Sequence, residues 1–115
     1  IDDPRKAAVS VGNLKSLAGS DGWSSLGRIV QQADRIRGYG DFYHYHLLAA
    51  GKIEAVIESD VNILDIAALS IIVGEAGGRF TDLNGNGLTL DTRSVLAANP
   101  TLHAKYLAHL GGYVA

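Results

Sequence analysis

Leu64-Asp65-Ile66-Ala67-Ala68-Leu69-Ser70-Ile71-Ile72-Val73-Gly74-Glu75-Ala76-Gly77-Gly78-Arg79-Phe80-Thr81 opens beside a carboxylate, runs through an almost unbroken apolar stretch and stops at a glycine pair. Ile66 to Ala76 predicts a helix that is greasy on every side, and such a helix is expected to be covered on every side, between layers. Gly77-Gly78 suits a left-handed C-terminal cap, because glycine enters that conformation without a Cβ penalty. Arg79-Phe80-Thr81 then predicts a strand running into Asn84-Gly85-Asn86-Gly87, a turn composition.

The same alternation continues outward in both directions. Upstream, Ile53 to Glu58 predicts a strand. Before it, Phe42, Tyr45, Leu48 and Ala49 trace one face of a helix with Asp41 at its N-cap position. Arg35-Ile36-Arg37 predicts a short strand that enters Gly38-Tyr39-Gly40. Leu26, Ile29, Val30 and Ala33 recur at helical spacing over Ser24–Ala33. The first strand is expected over Lys6–Val11, closed by Gly12-Asn13 and followed by a loop through Gly19–Gly22. Downstream, Ser94–Ala98 predicts the last strand, and Asn99-Pro100 starts a helix over Leu102, Tyr106, Leu107 and Leu110, with proline tolerated in the first turn. Strands alternating with helices predict an α/β fold, a layered domain with a mixed, mainly parallel sheet of about five strands flanked by helices. At 115 residues, one domain over 1–115 is expected.

Composition narrows the function classes. The net charge is −2 and the ten Lys and Arg are scattered, which argues against nucleic-acid and anionic-membrane surfaces. No apolar run approaches the ~20 residues of a membrane span. There is no cysteine, so disulfides and thiolate metal sites are excluded and a cytoplasmic setting is expected. There is also no methionine, and the chain opens Ile1-Asp2-Asp3-Pro4.

Several motifs invite chemistry. Gly38-Tyr39-Gly40-Asp41-Phe42-Tyr43 starts like a dinucleotide fingerprint, but Tyr43 stands where the third glycine belongs, and Asp41 would repel a phosphate. Asp82 to Gly87 has the alternating oxygens of a calcium loop, yet Arg93 occupies the closing position, so a turn is the better reading. His44 and His46 are two apart on a predicted helix and cannot share a face, so both are expected to be solvated or half-buried. Asp65 reads either as an N-cap, worth ~1 kcal/mol, or as a ligand for a hard cation. Glu58, seven residues earlier, reads by itself as a solvated strand-end charge.

Taken together, Leu64-Asp65-Ile66-Ala67-Ala68, then Ile71-Ile72-Val73, then Glu75-Ala76-Gly77-Gly78 resemble the C-terminal signature of the inositol monophosphatase family, with Leu64 where a tryptophan is usual. Arg35-Ile36-Arg37-Gly38-Tyr39-Gly40-Asp41 falls where that family carries an Arg-x-x-Gly segment before a helix, and it looks most like the histidinol-phosphate phosphatase branch. The resemblance implies the C-terminal half of a Mg2+-dependent phosphomonoesterase acting on a small phosphorylated polyol or amino alcohol. It implies Asp65 as a metal ligand, Glu58 as a contact to a substrate hydroxyl or amine, and Arg37, Gly38, Tyr39, Gly40 and Asp41 as walls of the substrate pocket. The family's Glu-Glu pair and Asp-Pro-x-Asp-Gly-Thr segment, which supply most metal ligands, are not in the sequence. Inactivity of this chain alone is therefore expected, with a missing N-terminal half or a second copy as partner. The alternative is a free-standing, non-catalytic ligand- or partner-binding module with the same fold.

Overall fold

The computed structural model describes residues 3–19, 23–38, 43–59 and 61–110. After a 3-10 turn at Pro4–Lys6, the order is β1 (Ala8–Gly12), α1 (Leu14–Ala18), α2 (Trp23–Gln32), β2 (Arg35–Arg37), α3 (Tyr43–Ala49), β3 (Ala55–Ser59), α4 (Ile63–Glu75), β4 (Arg79–Thr81), β5 (Ser94–Ala98) and α5 (Pro100–His109). The strands form one mixed sheet in the order β2-β1-β3-β5-β4. β1 pairs in parallel with β2 and β3, while β5 pairs antiparallel with β3 and β4.

Alternation along the strands builds a core on each face. Val9, Ile57 and Leu96 point to one side, where Leu17, Leu26 and Leu102 of α1, α2 and α5 pack on them. Val56, Val95 and Ala97 point to the other, beneath Tyr45 of α3 and Ile66, Leu69 and Val73 of α4. The central strands β3 and β5 are buried along their whole length.

Three expectations are corrected here. The expected loop after β1 contains α1, which is entered through Asn13 in a left-handed conformation. α4 starts three residues earlier than expected: Asn62, not Asp65, is its N-cap, and the Asn62 side chain accepts from the Leu64 amide. α4 is also covered on one face only among the described residues. Ile66, Leu69 and Val73 are buried, while Leu64 is 85% and Ile71 65% exposed. Its apolar composition does not translate into burial on all sides.

At its other end α4 closes as expected. Gly77 takes φ +88° and donates to the Gly74 carbonyl, and Gly78 donates to that of Val73, the paired bonds of a Schellman cap. The Asp82–Gly87 segment is a turn held by its own acid: Asp82 Oδ1 accepts from the amides of Asn84 (2.8 Å) and Asn86 (2.9 Å). Asn99 caps α5 as its sequence predicts, accepting from the Leu102 amide.

His103 of α5 is buried, and its Nε2 lies 2.7 Å from Thr81 Oγ1. The Thr81 hydroxyl is donated to the Asp82 carbonyl, so the ring N–H donates to Thr81. Burial, and secondarily the charge of Arg79, push the imidazole below its ordinary 6.5. Below about pH 6.5 the unfolded chain then binds a proton that folded His103 resists, so stability falls as pH drops until the folded ring titrates. Urea midpoints measured from pH 7.5 to 5 are expected to decline, and His103→Gln should flatten that decline. An unchanged slope in the variant would show that this ring is not responsible.

Candidate active site

Because β1, β2 and β3 are parallel, their C-terminal ends share one edge of the sheet. The chain leaves β1 for α1 and α2, which pack on one face, and leaves β2 for α3, which packs on the other. That divergence makes a switch point, where open α/β sheets form a crevice outside the strand ends. Gly12, Arg37 and Glu58 all stand at this edge. Asn13 ties it together by donating its side-chain amide to the Ser59 carbonyl.

Glu58 is the penultimate residue of β3 and is 7% exposed. It faces α3. Its Oε1 accepts from the Tyr45 hydroxyl and lies 3.3 Å from His44 Nε2. His44 Nδ1 is 2.9 Å from Ser10 Oγ of β1. When Nε2 donates to the carboxylate, Nδ1 of the neutral ring accepts from the Ser10 hydroxyl. Tyr45 is fixed by its neighbours, edge-on to His44 at 4.5 Å and tilted against Phe80 at 5.4 Å between ring centroids. Burial, then the charge of Glu58, push the Tyr45 phenol well above its ordinary value, so it remains a hydrogen-bond donor across physiological pH.

Gly12 stands beside the carboxyl group. It is the register partner of Glu58, and a Cβ built on it would clash with Glu58 Oε2 and lie 2.8 Å from its Cδ. The carboxyl group occupies the space a side chain would need.

Asp65 sits in the first turn of α4, exposed, on the element that follows β3 across a short connection. With Asn62 as cap, Asp65 keeps only a favourable position near the helix N-terminus. Arg37 ends β2 and Gly38 follows it, both exposed. The Arg37 guanidinium donates to the Ile36 carbonyl, and Gly38 stands against the Val11 carbonyl. Tyr39, Gly40 and Asp41 lie outside the described residues. Among those described, no three of His, Cys, Asp and Glu converge on a possible metal position. One hard oxygen donor suits Mg2+, but Asp65 alone does not make its shell.

Sequence reasoning did not bring Ser10, Gly12, His44 and Tyr45 into the surroundings of Glu58. It also placed Glu58 in solvent and His44 in solvent or half-buried, whereas the Tyr45 and His44 donors hold Glu58 inside and the His44 ring is fully buried, as His103 nearly is. One signal was available: Ser10 and Gly12 are two apart on a strand, so they share a face.

The family model of the inositol monophosphatase family matches residues 11–115. The chain is 35% identical to a histidinol-phosphatase of Mycobacterium tuberculosis, over 96% of this chain and 47% of the relative. It is 36% identical to a histidinol-phosphatase of Streptomyces coelicolor, over 77% of this chain and 35% of the relative. An inositol-1-monophosphatase of Bacillus subtilis is 35% identical over 70% of this chain and 31% of its own length. Among solved structures, an inositol monophosphatase from Zymomonas mobilis superposes with a TM-score of 0.85 at 25% identity, covering 94% of this chain and 43% of that one. The chain thus spans less than half the length of the relatives it matches. Across nearly all of its own length, it belongs to the inositol monophosphatase family.

Proposed function

We propose that this chain is the C-terminal half of a Mg2+-dependent phosphomonoesterase that acts on a small phosphorylated polyol or amino alcohol. The observation that carries this reading is a nearly buried carboxylate, Glu58, at the sheet edge from which α4 brings Asp65. In this reading Glu58 accepts from a hydroxyl or ammonium of the leaving group, Asp65 contributes one metal oxygen, and the segment from Arg37 to Asp41 borders the pocket. Magnesium held by both halves would polarise the phosphate and acidify water. The remaining ligands would come from the half that precedes this one in the relatives.

The test is phosphate release from a polyol phosphate and from an amino-alcohol phosphate, with and without Mg2+. It is run on the complete polypeptide and on the 115 residues alone. The complete protein is expected to turn over and the isolated chain to stay at the metal-only background. Turnover by the isolated chain would overturn the reading of it as incomplete. The lone candidate ligand among the described residues favours one other reading, a non-catalytic module, which predicts no turnover by either form.

The bare face of α4 belongs to the same proposal. Leu64, Ala68, Ile71 and Ile72 follow one another at helical spacing and are exposed. Patches of this kind mark interaction surfaces, and the occupant we assign is the preceding half. Sedimentation of the isolated chain should show self-association that Leu64→Ser with Ile71→Ser abolishes. A clean monomer at high concentration would instead support the free-standing module.

A further inference from the structure

The surroundings of Glu58 are unusual for a carboxylate. Among the described residues neither Lys nor Arg pairs with it, and the nearest basic group is the His44 ring, 3.3 Å away. An ionised carboxylate withdrawn from water costs several kcal/mol unless hydrogen bonds replace its hydration. Among the described residues, both donors that do so fall on one oxygen: Tyr45 and His44 converge on Oε1. Oε2 is turned toward Gly12, whose missing side chain leaves it room. The array is also backed from behind. Ser10 Oγ lies 2.9 Å from His44 Nδ1 and so fixes the orientation of the ring. If Glu58 only filled a core position, an apolar side chain of that size would serve at lower cost.

We propose that Tyr45 and His44 are positioning residues which occupy Oε1 of Glu58 and leave Oε2 as the acceptor for a hydroxyl or ammonium on the leaving group, so that they set substrate selectivity without touching substrate. The proposal rests on the phosphatase reading above and goes beyond it in naming which oxygen is offered and what aims it. A buried acceptor held in one orientation discriminates strongly. A leaving group lacking the donor leaves that acceptor unpaired, and the site rejects it. A carboxylate free to rotate would offer either oxygen and select less.

The experiment measures kcat/KM in the complete polypeptide with Mg2+ on two esters. One is an amino-alcohol or polyol phosphate, and the other is an aryl phosphate whose leaving group carries no donor. Tyr45→Phe is expected to lower the ratio of the first to the second about tenfold, chiefly through KM. In a Glu58→Ala background the same substitution should not change the ratio further, since its effect runs through Glu58. Equal losses on both esters would reduce Tyr45 to a packing residue and overturn the proposal. An independent arm uses 15N-histidine NMR of the same protein. His44 should show a slowly exchanging Nε2 proton that disappears in Glu58→Ala. A freely exchanging ring in the unsubstituted protein would overturn the array whatever the enzyme hydrolyses. A protein that hydrolyses neither ester overturns the phosphatase reading and the selectivity role with it, while the NMR result still reports whether the array forms.

Discussion

Asp65→Asn is expected to lower magnesium-dependent turnover of the complete polypeptide roughly a hundredfold or more while leaving stability within about 1 kcal/mol. The two halves of this expectation come from different observations. The N-cap of α4 is Asn62, whose side chain accepts from the Leu64 amide, so the stabilisation of about 1 kcal/mol that a cap supplies does not belong to Asp65. Asp65 retains only the interaction of an exposed first-turn charge with the helix N-terminus, worth about 0.3–1 kcal/mol. Its carboxylate is therefore not tied to the helix, and both oxygens are available to a hard cation. Asparagine keeps the shape and removes the charge. Asn62→Ala should give the reverse pattern, a loss of about 1 kcal/mol with turnover much less affected. Kinetics against Mg2+ concentration and urea denaturation of both variants separate the two roles. An Asp65→Asn enzyme that saturates with Mg2+ and turns over normally would remove Asp65 from the metal site.

The displaced cap shows where the sequence stops being informative. Ile63 and Leu64 look like the tail of a loop because Asp65, itself a good cap, stands directly before the longest apolar run. Asn62 is an equally good cap three residues earlier, and only the backbone geometry decides between them. Where one signal has no competitor, the reading survives: the Gly77-Gly78 cap and the Asn99-Pro100 helix start both stand in the structure. α1 was hidden because it is five residues long and lies between Gly12-Asn13 and Gly19, a context that reads as loop. The site divides the same way. Glu58 and Asp65 are legible as candidates because Asp65 lies within a recognisable signature and Glu58 stands seven residues before it. Gly12, His44 and Tyr45 meet Glu58, and Ser10 meets His44, only through the register of β1 on β3 and the packing of α3, neither of which local periodicity encodes. The burial of His44 is likewise a tertiary fact, invisible to helical spacing.

Gly12→Ala is the substitution expected to harm stability and site together, at a cost of about 2–4 kcal/mol. Gly12 ends β1, and its conventional explanation is that glycine punctuates a strand. Its φ is not in the left-handed region, since the positive values among described glycines belong to Gly51, Gly77 and Gly85. On backbone grounds alone, alanine should then be neutral or stabilising by roughly 0.5–1 kcal/mol. Space argues the other way. The new Cβ would clash with Oε2 of Glu58 and meet its Cδ and Cγ at 2.8 and 2.9 Å. A flexible end group usually yields to such a clash, but this one is held by Tyr45 and His44. Displacing it strands a buried phenol and a buried imidazole without their acceptor, which costs far more than the methyl group gains. The sign of the effect therefore separates the two explanations. Urea denaturation of Gly12→Ala, Glu58→Ala and the double variant completes the test. In the double variant the clash is gone, and adding alanine at position 12 should cost less than about 0.5 kcal/mol. If Gly12→Ala is as stable as the parent with Glu58 in place, the carboxylate is mobile, and the packed array of Ser10, His44, Tyr45 and Glu58 does not hold it.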